Sequence, residues 1–422
     1  VRRRGAVLGG AALLLLGVGA LTAFRAGVRA DRELASALFT HPVELTPDAD
    51  RLLPARGAGT IREIGAPQRV LRIGGDAEEV EGAFGSVADV TPGRSGDTVY
   101  VLDGMSLSVS AFGTDGRFLF GFGGEGDGPG EFRRPVQLLV LPWSGEVAVW
   151  DVETQRLTVH TPAGHVARVL APGAADARGK VRRIRAYGGG YVMEVHSDPL
   201  LFSQAEQRGA LVRLDTAARA PRTLFGFAIA PVNASHVESA PGVSVTTWLN
   251  PPYWSPEPRW DLLADGTVLF APGGPDEAYR IAPAGAVTRL HREHRYARVT
   301  RRDRVRHLTG ERDRHLIAYP TTPVALLEPL NRRFYAAVRP SVTGILAGPG
   351  GSLWTRGFDL RDSWRAFSRT WDPARADGTP SAGVRLPAAF EPLHIVDGVV
   401  YGVAQDEMYV QRVEAYRVEE GR

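Results

Sequence analysis

The chain contains no cysteine, which excludes disulfides, thiolate metal sites, thiol nucleophiles and a lipid-modified cysteine. Lysine is nearly absent too: of 50 basic residues only Lys180 is lysine. That bias reads as genome composition and carries no functional weight. No G-x-S-x-G occurs, so there is no nucleophile elbow. The acid ladder of an EF-hand is missing as well. Asparagine occurs only at Asn233, Asn250 and Asn331. The remaining composition, 44% hydrophobic and 23% charged over 422 residues, is ordinary for a globular protein, with enough apolar surface for a large core.

Charge is unevenly placed. Arg2, Arg3 and Arg4 precede an uncharged apolar stretch of 20 residues, 5–24, long enough at about 30 Å of helix to cross a bilayer core. Positive charge ahead of such a stretch keeps the N-terminus in the cytoplasm and exports the rest. Residues 1–30 are expected to act as a signal peptide or membrane anchor, and Val28-Arg29-Ala30 offers cleavage spacing. Taking their five arginines from the formal +3 leaves −2 for the remainder. An exported, nearly neutral protein does not fit nucleic-acid binding, which needs a basic face.

The run "GFGGEGDGPGEFRRP" from Gly121 contains G-x-G-x-x-G after an apolar strand. A dinucleotide fingerprint must open a helix, but Pro129 and Pro135 interrupt this segment, Glu125, Asp127 and Glu131 repel phosphate, and "VQLLVLP" comes next as a strand. Asp127 is also out of frame for a calcium-binding G-G-x-G-x-D repeat. The glycines are therefore expected to serve geometry.

Self-similarity explains them. "DTVYVLDGMSLSVSAFGTDGRFLFGFG" from Asp97 superposes on "GEVAVWDVETQRLTVHTPAGHVARVLA" from Gly145. Each is a strand ending in Asp, a second strand, a tight turn and a third strand; "SVADVT" and "VQLLVL" supply a strand before each. Four short antiparallel strands per unit of about 45 residues is the signature of a propeller blade. Weaker copies come later in the chain: "VRRIRAYGGGYVMEV", "WDLLADGTVLFA" with a second Pro-Ala-Gly hairpin, "TGILAGPGGSLWTR" and "LHIVDGVVYGVA". Six units predict an all-β, six-bladed propeller with four-stranded antiparallel blades. The last unit has room for only three strands, and "QRVLRIGG" from Gln68 stands alone before the first. Residues 68–73 are therefore expected to complete the last blade, pairing around Val410 to Tyr416. The domain reading is 1–30 signal peptide or anchor, an apolar helix; 31–66 linker; and 67–422 propeller with an insertion at about 291–318.

"GEGDGPGEFRRP" leading into a strand, a second strand ending in Asp151, and "QRLTVH" resembles the NHL-type six-bladed propellers. The resemblance implies that Asp151 faces Arg156 across two strands; Asp103 has Ser108 at the matching place. It covers residues 80–170 and implies architecture, not activity. Propeller enzymes such as lactonases and amidating lyases hold a metal at the central channel, and no ligand ring can be nominated from this sequence.

Two segments stand apart from the strands. "WLNPPYWSPEPRW" places Trp248, Tyr253, Trp254 and Trp260 among four prolines, a loop whose aromatics suit a sugar ring or peptide. Residues 289–315 hold ten arginines against four acids, with Thr300 and Asp303 at capping-box spacing and Val305 and Leu308 on one helical side. Arg298, Arg301 and Arg302 there are candidates for an anionic partner. His291, His294, His307 and His315 lack metal-ligand spacing. The reading is an extracytoplasmic, periplasmic or cell-surface propeller, membrane-tethered through residues 5–24. It would bind a protein, peptide or glycan without cofactor, metal or nucleic acid; the alternative is a metal-dependent hydrolase or lyase.

Overall fold

Each hairpin read in the sequence becomes part of a four-stranded antiparallel blade. The computed structural model describes residues 45–53, 60–64, 68–74, 83–171, 179–197, 207–215, 221–229, 233–237, 246–250, 254, 257–273, 277–292, 298–307, 309, 339–359, 367–376 and 378–418. The apolar segment 5–24 lies outside them, and no described helix is long and apolar enough to cross a membrane.

Blade 1 comprises Val87–Pro92, Thr98–Asp103, Ser108–Gly113 and Phe118–Gly123. Blade 2 comprises Pro135–Val140, Val147–Asp151, Arg156–His160 and Val166–Leu170. Blade 3 runs through Gly179–Tyr187, Gly190–Ser197, Gln207–Asp215 and Arg222–Ile229, and blade 4 through Arg259–Leu262, Val268–Ala271, Glu277–Ile281 and Val287–Arg292. Blade 5 is Gly344–Ala347, Leu353–Phe358, Phe367–Ala374 and Gly383–Arg385. Blade 6 takes Phe390–Val396, Val399–Gln405 and Gln411–Arg417 from the end of the chain and Arg69–Ile73 from near its beginning. The first strands of successive blades touch in a closed ring, blade 6 returning to blade 1. They form the wall of a central channel.

The closing strand pairs as the lone "QRVLRIGG" predicts. Ile73 lies opposite Val413, Leu71 opposite Ala415 and Arg69 opposite Tyr416, antiparallel. Leu71 and Ile73 are buried, and Arg69 forms a 3.1 Å ion pair with Glu414. Alternation alone assigns these faces, since successive strand residues point to opposite sides. Val70, on the other face, is exposed.

Apolar residues gather in six clusters, one between each pair of neighbouring blades. Leu71 and Ile73 meet Val90, Val101 and Phe112 between blades 6 and 1; Trp150 and Leu157 meet Ile184 and Met193 between blades 2 and 3. A blade therefore buries both faces against its neighbours, and an unpaired edge at the closure would open the cluster that Leu71 and Ile73 complete.

The repeated Pro-Ala-Gly hairpin is a latch between blades. The Pro162 carbonyl in blade 2 accepts the Tyr100 hydroxyl of blade 1 at 2.8 Å, and the Pro283 carbonyl in blade 4 accepts Arg213 and Arg222 of blade 3 at 3.0 Å. Gly164 closes the first hairpin at φ +87°, where a Cβ would also lie 2.9 Å from the Phe122 ring. At the crossing from blade 1 to blade 2, Gly123, Gly124, Gly126 and Gly130 all have positive φ, and Phe132 is fully buried. These glycines serve the geometry expected of them.

Asp151 and Arg156 are register partners, as the resemblance implies. The Asp151 carboxylate accepts the backbone N–H groups of Arg133, Arg134, Glu153 and Thr154 at 2.7–3.0 Å, while Arg156 Nη1 donates to the Asp127 carbonyl. Asp103 repeats the device with Gly85, Ser86 and Met105.

Four strands were not anticipated, among them Thr246–Asn250, which places Trp248 in a strand where a loop was expected. Leu45–Leu53 runs parallel to the last strand of blade 4, and Ile61–Glu63 parallel to that of blade 5, giving both blades a fifth strand from the segment read as a linker. Asn233–Val237 pairs with Thr246–Asn250 in a separate hairpin between blades 3 and 4 in the chain. In the insertion, residues 301–307 form a helix, with Thr300 Oγ1 and Asp303 Oδ2 2.7 Å apart and the Asp303 N–H donating back to Thr300 Oγ1, as the capping box predicts.

Candidate functional site: the central channel

Charged and polar residues sit inside otherwise apolar first and second strands, and each points to a neighbouring blade. Asp89 of blade 1 accepts the Leu138 N–H of blade 2 at 2.8 Å. Gln137 of blade 2 accepts the Ile184 N–H of blade 3 at 3.0 Å. Arg183 of blade 3 donates to the Trp260 carbonyl of blade 4 at 2.7 Å. Asp261 of blade 4 accepts the Ala347 N–H of blade 5 at 2.9 Å. Arg356 of blade 5 grips both oxygens of Glu391 in blade 6 at 2.7 and 2.8 Å. His394 of blade 6 returns to Asp89, Nε2 to Oδ1 at 2.7 Å. Six joints, one per interface, encircle the channel.

A recurring β-bulge aims four of them. Register slips by one residue at Ala88, Val136, Arg182 and Leu393 in the first strands of blades 1, 2, 3 and 6. An extra residue re-aims the side chain after it, and the side chains in that place are Asp89, Gln137, Arg183 and His394. The four bulged residues themselves line a cavity of about 570 Å³ at the channel.

The channel's buried acids are occupied on both oxygens, while Glu257 at the cavity's edge is exposed and paired with Arg259 at 2.6 Å. Glu194 accepts the Trp260 indole N–H at 2.6 Å through Oε2 and lies 2.5 Å from His196 Nε2 through Oε1. Asp261 Oδ1 lies 3.4 Å from Arg185 Nε. Burial by itself would raise the Asp89 and Glu194 carboxyls; for Asp89 the charge and hydrogen bond of His394, the Arg185 charge and the Leu138 N–H outweigh it, and for Glu194 His196, the Trp260 indole and the Arg183 charge do. Both stay below the usual carboxylate range. Burial, with Arg185 alongside, pulls the Arg183 guanidinium down to about 10. Among the described residues, no three His, Asp or Glu side chains gather closely enough to hold a metal ion.

The aromatic and basic candidates separate. Trp260 is fully buried, its indole on Glu194 and its ring 5.1 Å from the Arg183 guanidinium, so it presents no open face for a ligand. Its position in a Pro-rich stretch suggested a loop, but Arg259–Leu262 is the first strand of blade 4. Trp254 is partly exposed and packs edge-on against His307 at 5.0 Å and Phe358 at 5.1 Å. The loop and the basic helix thus meet through Trp254 and His307. Arg298, Arg301 and Arg302 are exposed. Trp248 belongs to the Thr246–Asn250 strand, with its side chain outside the described residues, as is Tyr253. Val305 is exposed, and His307 is buried.

The channel residues were missed because each blade contributes one or two and no local motif joins them. A signal existed: an acid within a β-branched run, as in "SVADVT" around Asp89 or "YVMEVH" around Glu194, is costly unless paired.

No protein-family model and no curated protein matches the chain. Solved structures similar to it include a Bacteroides fragilis protein assigned as exported, at 9% identity, covering 85% of this chain and 99% of that one with a TM-score of 0.41. Regucalcin, a calcium-binding protein from Agrobacterium tumefaciens, is 11% identical, covering 86% and 97% with a TM-score of 0.41. Virginiamycin B lyase from Staphylococcus aureus, as an inactive variant with quinupristin, is 12% identical, covering 78% and 94% with a TM-score of 0.38. Likenesses this distant assign no activity.

Proposed function

We propose that the protein is an exported, membrane-tethered six-bladed propeller of NHL-like build that acts as a non-catalytic binding or scaffold module for a protein, peptide or glycan. The observation that carries this reading is the occupancy of the channel acids: Asp89, Glu194, Asp261 and Glu391 each engage a partner through both oxygens. General acid–base work or metal ligation needs donors free to meet substrate or ion, and here the same groups hold blades together. Export is supported by Arg2, Arg3 and Arg4 ahead of the apolar residues 5–24. Trp254, Arg301 and Arg302 offer the ligand a second, outer surface.

The test is elemental analysis of the purified protein together with a reporter fused after Arg422. The expected result is no stoichiometric metal and a reporter active only outside the cytoplasm. One tightly held metal per chain, surviving dialysis, would turn the reading to the hydrolase or lyase alternative. A reporter active only in the cytoplasm would remove export.

A further inference from the structure

Three of the four bulged residues in the channel are apolar, Ala88, Val136 and Leu393; the fourth is Arg182. The same backbone device thus sets one guanidinium among small apolar walls. Arg182 is exposed within the cavity lining and, among the described residues, has no hydrogen-bond or ion-pair partner. Behind it on the same strand stand Arg183 and Arg185, which line the same cavity. Arg183 spends Nη1 on the Trp260 carbonyl, and Arg185 Nε is buried without a hydrogen bond, 3.4 Å from Asp261. The buried acids nearby are closed into their own joints, and Glu257, which also lines the cavity, is exposed and paired with Arg259 at 2.6 Å.

We infer that the channel takes a ligand carrying a carboxylate on an apolar body, the carboxylate on the Arg182 fork and the body against Ala88, Val136 and Leu393. This names the ligand class for the binding reading above and rests on it. A guanidinium fork matches a carboxylate in two parallel hydrogen bonds. The cavity, about 570 Å³, lies in the range that encloses small ligands. A phosphate would meet the same fork, but its second charge would lie near Asp89 and Glu194, and inorganic phosphate has no apolar body to bury.

Calorimetric titration of the full chain with N-acetyl-leucine, N-acetyl-leucinamide and inorganic phosphate tests this. The acid should bind at least about tenfold more tightly than the amide or phosphate, a gap of about 1.4 kcal/mol. Arg182→Ala should lose that advantage with its melting temperature unchanged, since the side chain is exposed and outside the joints; Arg182→Lys should recover part of it, keeping charge without the fork. Equal binding of acid and amide, acid binding untouched by Arg182→Ala, phosphate binding as tightly as the acid, or no heat from any of the three at tens of millimolar would each overturn the inference. A bound metal would refute the non-catalytic reading separately, because the titration reports only Arg182-dependent affinity.

Discussion

Blades 1 and 2 secure themselves with neighbours in sequence, whereas blades 4 and 5 draw on chain far away. Asp151 ties down the entry loop of its own blade, reaching Arg133 18 residues back, and Asp103 does the same in blade 1. Blades 4 and 5 end their second strands in Ala271 and Phe358, not in an aspartate. Their first strands carry no bulge, and their outer edges receive Leu45–Leu53 and Ile61–Glu63 in parallel. The strand order within each blade is shared; the fastening is not. Local fastening leaves a motif in the sequence, and remote fastening leaves only a short apolar run whose partner is unstated.

The comparison breaks most sharply at the closure, the most remote pairing that sequence alone foretold. A chain beginning after Gly75 lacks Arg69–Ile73, and with it Leu71 and Ile73 from the cluster shared by blades 6 and 1. It should aggregate or unfold without cooperativity, whereas a chain beginning at Gly59, which among the described residues loses only the fifth strand of blade 4, should keep one sharp transition. Equal melting of the two by calorimetry would show that closure contributes nothing special.

Next in size is the local fastening itself. Asp151→Ala orphans four backbone N–H groups and should cost about 3 kcal/mol, and Asp103→Ala, with three, about 2 kcal/mol. Urea denaturation reads both. An Asp151→Ala loss below that of Asp103→Ala would mean that the loop finds water or other acceptors and that the clasp is not what distinguishes blade 2.

Blade 2 also carries a buried base. His160 is 1% exposed and packs 4.5 Å from Phe122, its ring nitrogens sealed from solvent with only the backbone of Val147 and Thr158 to offset the burial. Burial holds it neutral, its pKa down at about 4. The unfolded chain protonates near 6.5, so between about 6.5 and 4 the unfolded state binds one more proton and stability falls as pH falls, by on the order of 2–3 kcal/mol across that window. His160→Leu should flatten that part of the pH profile. Asp89 and Glu194, held low, add losses only at more acid pH, as pH falls from the ordinary carboxylate range toward their depressed values. An unchanged slope between pH 6.5 and 4 in the leucine variant would assign the dependence elsewhere.

The legibility of the sequence obeys the same division. The blade count, the Pro-Ala-Gly latches, the crossing glycines and the closing strand were legible because turns and alternation are local rules. The fifth strands were not, since parallel addition to an outer edge needs no turn and leaves no spacing to read. Most of the channel was hidden for a further reason. Asp89, Gln137, Arg183 and His394 acquire their common role from bulges, and a one-residue slip reverses the face that alternation would assign.

The smallest expected effect lies on the helix over residues 301–307, where one short segment has both kinds of face. His307 is buried against Trp254, which in turn meets Phe358 at the end of the second strand of blade 5. Arg339 joins the underside, its guanidinium 5.6 Å from the Phe358 ring and paired with Asp303. Arg301 and Arg302 are exposed, Arg302 at the rim of a cavity shared with Arg339 and Phe358. Reversing both to glutamate should therefore change stability by no more than about 0.5 kcal/mol, while His307→Ala, removing a ring from an aromatic contact, should cost about 1 kcal/mol. Deleting residues 293–316 should lower the melting temperature by a comparable amount and leave the transition cooperative, because the six inter-blade clusters contain none of these residues. If the double charge reversal destabilises the fold as much as His307→Ala, the outward face is packed after all and the arginines belong to the structure, not to a partner. A deletion that abolishes the cooperative transition would place the helix among the fastenings of blades 4 and 5.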